Sequence, residues 1–406
     1  MKKLLLILIA LPMIGFGQNV NIPDANFKAY LVGEPTINTN GDTEIQVSEA
    51  TVFNGVINCE NMNISDLTGI EDFTALTVLS CSYNQLTTLD VSQNTALIHL
   101  FSDFNQLTSL DVSTNVLLYN LEVWGNQLTT IDISANVNLG GLRVGDNLLV
   151  SLDVSNNINL VSMECCYNPI NNLYLLNNSL IIYLDCNGNQ LTSLNLSNNT
   201  MLEGLNCSGN QLTSLDFSQN TALTSLVCEY NQLTSLDVSQ NLALTNLNCK
   251  ENQLINLDVS ANTALTYLSC GGNQLTSLDV SANTALTQLY CKENQLINLD
   301  VSANTALTTL NCEQNQLTSL DLRNGNNTNF YQLDATHNPK LYCINVDDTA
   351  WSATNWTFAN NNIDAQHYFS NNCSTTSIQE HTTKKEILKV TDLLGRETKG
   401  TKNKVL

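Results

Sequence analysis

The chain has 406 residues, with 37 Asp and Glu against 15 Lys and Arg and a formal net charge of −22. So acidic a surface excludes nucleic acid and anionic membrane as partners and suits an extracellular protein kept in solution. Beyond an apolar run near the N-terminus, no stretch reaches membrane-spanning length.

That run occupies residues 4–16 and follows Lys2 and Lys3, with Gly15-Phe16-Gly17 ahead of Gln18. A basic start, a short apolar segment and small residues at the cut predict a secretory signal peptide over residues 1–17. No cysteine follows the run, which argues against a lipid anchor. The mature chain is therefore expected to be secreted or displayed on the outer cell surface. Residues 18–58 read as an N-terminal cap, with a helix over 23–32 that puts Phe27, Tyr30 and Leu31 on one side. The loop after it places Asn38, Asn40, Asp42 and Glu49 at positions one, three, five and twelve of a calcium loop, with the Glu44 carbonyl between them. Asn38 stands where Asp is usual and Thr43 where Gly is needed. Calcium is the one cofactor expected of the chain, in a weak site, and none is required.

From Asn63 to Asn315 every twenty-first residue is asparagine, and a second series at the same period runs from Asn94 to Asn304. A fixed period of that length predicts a solenoid whose repeats stack coil on coil. One copy reads Leu223-Thr-Ser-Leu226-Val-Cys228-Glu-Tyr-Asn231-Gln-Leu233-Thr-Ser-Leu236-Asp-Val238-Ser-Gln-Asn241. The alternation around Leu226 and Cys228 predicts a short strand, so stacked copies build a parallel sheet. Asn231 falls where the strand must turn, and its amide can pair with backbone groups the turn leaves open.

This skeleton, LxxLxCxxNxLxxLxVxxN over residues 59–338, resembles the leucine-rich repeat family, in particular the bacterial class with nested repeats of about twenty-one residues (IRREKO-like). The resemblance implies a β-rich arc or rod with short parallel strands that serves as a recognition surface rather than a catalyst. The step from Asn315 to Asn338 is twenty-three residues and marks the last, irregular coil.

Nine cysteines, from Cys81 to Cys312, stand three residues before the asparagine of their coil. They form one inward column with parallel side-chain vectors. Such vectors do not meet in disulfides, and a straight column cannot converge on zinc. They read as small core residues. Asp90, Asp111, Asp132 and Asp153, then Asp216 to Asp321 at the same spacing, form a carboxylate column interrupted by Tyr174 and Asn195. Each is expected to bond its own turn, with divalent-cation binding as the sharper alternative.

The outward positions vary most in the coils of Asn105, Asn126 and Asn147. They hold Phe101, Asp103, Glu122, Trp124 and Arg143, with Tyr83 and Phe104 beside them. The inward cysteine is replaced there by Ser102, Val123 and Val144. Exposed aromatics flanked by charge are the composition of a binding patch for protein or carbohydrate.

Residues 339–373 read as a C-terminal cap in which Trp351, Trp356, Phe358 and Phe369 cover the last coil. A Cys343–Cys373 disulfide closes it, worth roughly 3 kcal/mol. Residues 374–384 are a Ser/Thr-rich linker. Ile387-Leu-Lys-Val390-Thr-Asp392-Leu-Leu-Gly395-Arg396-Glu397 resembles the start of a type IX secretion C-terminal sorting domain, so residues 385–406 are identified as a partial one. That resemblance implies type IX-like machinery as a partner.

No metalloprotease, serine-hydrolase or phosphate-loop motif appears. The sequence thus predicts a non-catalytic extracellular or cell-surface protein that recognises a protein or glycan through its sheet face. The alternative is a structural or adhesion spacer. An enzyme would need a pocket with convergent titratable groups, which nothing in the sequence suggests.

Overall fold

The computed structural model describes residues 17–373. The leader, the linker and the sorting segment lie outside those residues, apart from Gly17. Fourteen parallel three-residue strands form one sheet, from Val56–Asn58 in coil 1 to Gln332–Asp334 in coil 14. Successive strands pair in register across one repeat, as Leu226 does with Leu247 and Leu247 with Leu268. A second parallel sheet of four strands, Asn298–Asp300, Ser319–Asp321, Cys343–Asn345 and Tyr368–Ser370, runs through the last coils.

A coil this narrow buries its Val and Cys columns and most of its Leu columns completely, the Leu236 column keeping slight exposure. Leu223, Leu226, Cys228, Leu233 and Val238 all have 0% exposure. The two asparagine ladders satisfy the turns. Asn231 Nδ2 donates to the carbonyls of Cys207, Cys228 and Glu229 at 3.0–3.2 Å, and its Oδ1 accepts from Leu212 N at 3.0 Å. Asn241 Nδ2 donates to Phe217 O and Asn220 O, at 3.1 and 2.8 Å, whereas its buried Oδ1 has no protein donor. Both ladders thus stitch each coil to the one before it.

At the N-terminal end, helix α1 (Ala25–Gly33) starts at Asp24, whose Oδ1 accepts from Asn26 N and Phe27 N. Phe27 and Leu31 are fully buried and Tyr30 Oη accepts from Asn58 N of coil 1. At the other end a helix over Thr349–Asn355 precedes Trp356. Trp356 is buried among Phe330, Trp351 and Phe369, with ring centroids 5.3–6.0 Å away. Phe358 is not part of this cover: it is 64% exposed, because it follows the helix on a 3-10 turn that carries it outward. Cys343 and Cys373 are disulfide-bonded. The inward cysteine column is reduced and buried.

A candidate binding face on the parallel sheet

In each coil the inward strand residue, Leu except for Ile57 and Met163, is flanked by two outward residues, and the residue after the cysteine column supplies a third outward position. In coil 3 these are His99, Phe101 and Asp103; in coil 4, Asn120, Glu122 and Trp124; in coil 5, Gly141, Arg143 and Gly145. From Asn84 to Asn338 the residue before the asparagine that ends each strand is left-handed. Tyr83 and Phe104 hold that place in coils 2 and 3 with φ of 57° and 50°, while Gly125 fills it in coil 4. The turn throws these side chains onto the face, where the Tyr83 and Phe104 rings stack at 4.7 Å. They are 55% and 42% exposed. His99, absent from the sequence-based patch, stacks on Phe101 at 6.0 Å and meets the edge of Tyr119 at 6.3 Å. It was legible from the strand period, since it stands two residues before Phe101.

Charge gathers around Arg143. Its Nη1 lies 2.7 Å from Glu122 Oε2, its Nε 3.2 Å from Glu164 Oε2, and its guanidinium carbon 5.5 Å from the centre of the Trp124 ring. The structure thus brings Glu122, Trp124 and Arg143 together and adds Glu164. Asp103 differs from expectation. It is only 9% exposed, its Oδ1 accepts from Trp124 N at 2.7 Å and its own N–H donates to Ser82 Oγ. Burial, and then Glu122 beside it, push its carboxyl up to about 6. Asp103 therefore supports the face from below more than it presents itself.

The sequence reading also missed the flank that leads into the strands. In later coils a threonine ladder occupies it: Thr245 Oγ1 donates to Thr224 O, Thr266 to Thr245 O and Thr287 to Thr266 O. In coils 3–7 that ladder is replaced by Ile98, Tyr119, Gly140, Val161 and Ile182. Val116, Leu117, Val137 and Ile158 beside it are all exposed. Tyr119 joins this apolar stripe to His99, so the flank and the face form one surface. The signal in the sequence was the loss of the Thr-Ala-Leu-Thr pattern.

The other candidate sites are built differently. In the loop of residues 38–49 the side-chain oxygens at the candidate ligand positions already face N–H donors. Glu49 accepts from the amides of Thr39, Asn40 and Gln46; Asp42 from Glu44 N, Asn40 Nδ2 and Gln46 Nε2; Asn38 Oδ1 from Gly41 N. Glu44 pairs with Lys28 at 2.7 Å. A calcium ion would compete with these donors for the same oxygens, and the twelfth-position Glu49 is turned to the backbone. As arranged here these oxygens are engaged by N–H donors, and among the described residues no three His, Cys, Asp or Glu side chains group as a metal site. The aspartate column bonds its own turns: Asp237 Oδ1 accepts from Ser239 N at 2.9 Å, and the Ser239 bonds hold its carboxyl below the usual range.

No protein-family profile matches the chain. Among solved structures, the functional domain of InlJ from Listeria monocytogenes, described as including a cysteine ladder, is similar at 34% identity. The match covers 82% of this chain and 77% of that one, with a TM-score of 0.65. The chain belongs to the internalin-like leucine-rich repeat family. The curated Internalin J of Listeria monocytogenes is 42% identical over 73 residues, which is 18% of this chain and only 8% of that protein. The L. monocytogenes internalin InlF shares the fold at 22% identity and a TM-score of 0.69, over 83% of this chain and 99% of that one. A Leptospira interrogans leucine-rich repeat protein does so at 22% identity and 0.63, over 77% and 83%.

As an internalin-like protein the chain carries a cysteine ladder of its own, unbroken from Cys165 to Cys312 and interrupted at Ser102, Val123 and Val144. Burial raises these thiols, Cys249 to about 12 and Cys228 well above its ordinary value. They stay protonated and apolar at neutral pH. The ladder breaks in the same coils whose outer face carries the aromatic and charged cluster.

Proposed function

We propose that this internalin-like chain is a non-catalytic binding protein, exported to the cell surface or secreted, that recognises another protein through the sheet face of coils 2–6 and the adjoining flank. Export through the N-terminal leader and a type IX-like sorting segment is part of this proposal. One observation carries it: Tyr83 and Phe104 are exposed, Phe101 and Trp124 are half-buried beside them, and the cluster is clear of the N-terminal cap. The cap's contacts named above reach coil 1, through Tyr30 and Asn58, whereas Tyr83 and Phe104 stack in the open. Rigid aromatic anchors beside charge are what interface centres use. A spacer role is the second reading, supported by the repetitive coils 9–13 and their threonine ladder.

The test uses the full chain and its Phe104→Ser/Trp124→Ser variant on an array of purified glycoproteins, before and after enzymatic deglycosylation. Binding that the variant loses and deglycosylation leaves intact is the expected result. Binding lost on deglycosylation makes the ligand a glycan. Equal binding by both chains across the array would overturn the assignment of the face.

A further inference from the structure

The face holds its own cations in one repeated way. Arg143 sits over Trp124 between Glu122 and Glu164. Lys250 Nζ sits 5.2 Å from the Tyr230 ring centre and 3.1 Å from Glu229. Each is a cation on an aromatic face, held by a carboxylate, an arrangement worth more than either contact alone. A third pair, Tyr183 and Asp185, lies in coil 7 without a cation of its own, next to the Glu164 that Arg143 already holds. Tyr183 and Asp185 flank the inward Leu184, and Glu164 stands beside them in coil 6. Tyr183 is 40% exposed. The hydrogen bonds Asp185 accepts come from neutral groups: Asn187 N at 3.0 Å, Asn187 Nδ2 at 2.5 Å and Asn206 Nδ2 at 3.2 Å. Among the described residues no Lys or Arg pairs with it. Burial first, and then Asp185 and Glu164, raise the Tyr183 hydroxyl to about 12. Across coils 3–7 these columns carry Asp103, Glu122, Glu164 and Asp185 against Arg143 alone.

Resting on the binding-face reading above, we propose that this stretch docks a cationic segment of a partner protein, with an arginine or lysine side chain laid on Tyr183 against Asp185 and Glu164. The third pair then completes with a foreign cation what the first two sets complete with their own. Complementary charge would also speed encounter and make the association salt-dependent.

The test measures fluorescence anisotropy of a labelled peptide with arginine at alternate positions, titrated with the full chain, with a glutamate peptide as control. Asp185→Asn, which keeps an acceptor for Asn187 N, is expected to weaken binding about fivefold. Asp237→Asn/Asp258→Asn on the aspartate column removes more charge and should change it by less than about twofold. Arg143→Gln frees Glu122 and Glu164 and is expected to tighten binding about fivefold, a gain that misfolding cannot produce. Equal losses from the Asp185 and column variants, or no gain from Arg143→Gln, would overturn the proposal. Loss of peptide binding on adding calcium at fixed ionic strength would assign the carboxylates to a divalent cation and overturn it as well. If the array binding depends on Phe104 and Trp124 but no arginine peptide binds, the binding face stands and only the cationic partner falls.

Discussion

The indole of Trp124 lies across Gly145 of the following coil, so closely that a Cβ at Gly145 would stand 2.4 Å from Trp124 Cζ3. The same relation holds between Phe104 and Gly125, at 2.7 Å, and between Tyr119 and Gly140, at 2.5 Å. Glycine in the next coil lets each ring lie flat on the sheet. Gly145 is not in the left-handed region, so alanine suits its backbone and only the ring must move. Gly145→Ala is therefore expected to lift Trp124 and break its contact with Arg143, with a stability change below about 1 kcal/mol. Trp emission should shift to the red, and array binding should fall. An emission spectrum identical to wild type would mean the ring does not depend on Gly145.

The ladder asparagine is expected to matter far more than its neighbours on the surface. Asn231→Ala leaves Leu212 N buried without a partner and Cys207 O with only its bond from Asn210, and should destabilise the chain by about 1–3 kcal/mol in urea unfolding. Asp237→Ala removes only an exposed turn bond and should change stability by less than about 1 kcal/mol. Equal midpoints for the two variants would contradict the stitching role of the ladder.

The same contrast explains what could be read in advance. Asn231, Leu226 and Cys228 recur in fixed register, and a period of that kind dictates which side chains point inward without any knowledge of partners. The cap helix was legible from the spacing of Phe27, Tyr30 and Leu31, though its Asp24 cap was not picked out. The face was only partly legible. Phe101, Trp124 and Arg143 were found as departures from the repeat, but whether Asp103 is exposed depends on a bond from Trp124 N one coil away, which no local pattern encodes. Asn38, Asp42 and Glu49 have the order of a calcium loop, yet the hydrogen bonds they make depend on the short helix and backbone that follow them.

Those bonds lead to a direct expectation for the cap. Since the N–H donors of Thr39, Asn40 and Gln46 already satisfy Glu49, the thermal midpoint should be the same in EDTA and in millimolar calcium. A rise in the midpoint with calcium that Glu49→Gln abolishes would show that the loop rearranges around the ion after all.

The buried thiols should be chemically silent. All eleven free cysteines are buried, and burial keeps the column protonated. A thiol reagent at mildly alkaline pH is expected to label none of them in the native chain and all eleven after denaturation without reductant, because Cys343 and Cys373 are already bonded. Rapid native labelling would place part of the column at the surface.

Asp103 should make stability fall as the pH rises through mild acidity. Its carboxyl titrates near 3.8 when unfolded and about 6 when folded, raised by burial and then by Glu122. Folding therefore takes up a proton between those values. The contribution is fully present below about pH 4 and is lost as the pH passes 6, for a total of up to about 3 kcal/mol. The column aspartates, held below their ordinary range by serine bonds, act in the opposite sense at lower pH and are common to both chains being compared. Asp103→Asn keeps an acceptor for Trp124 N and gains an amide that can donate to Glu122. The variant should match wild type near pH 4 and exceed its stability near pH 7 by up to about 3 kcal/mol in urea unfolding. A constant difference across that range would mean that Asp103 does not carry the raised titration, and that the face is held together by contacts other than its buried carboxyl.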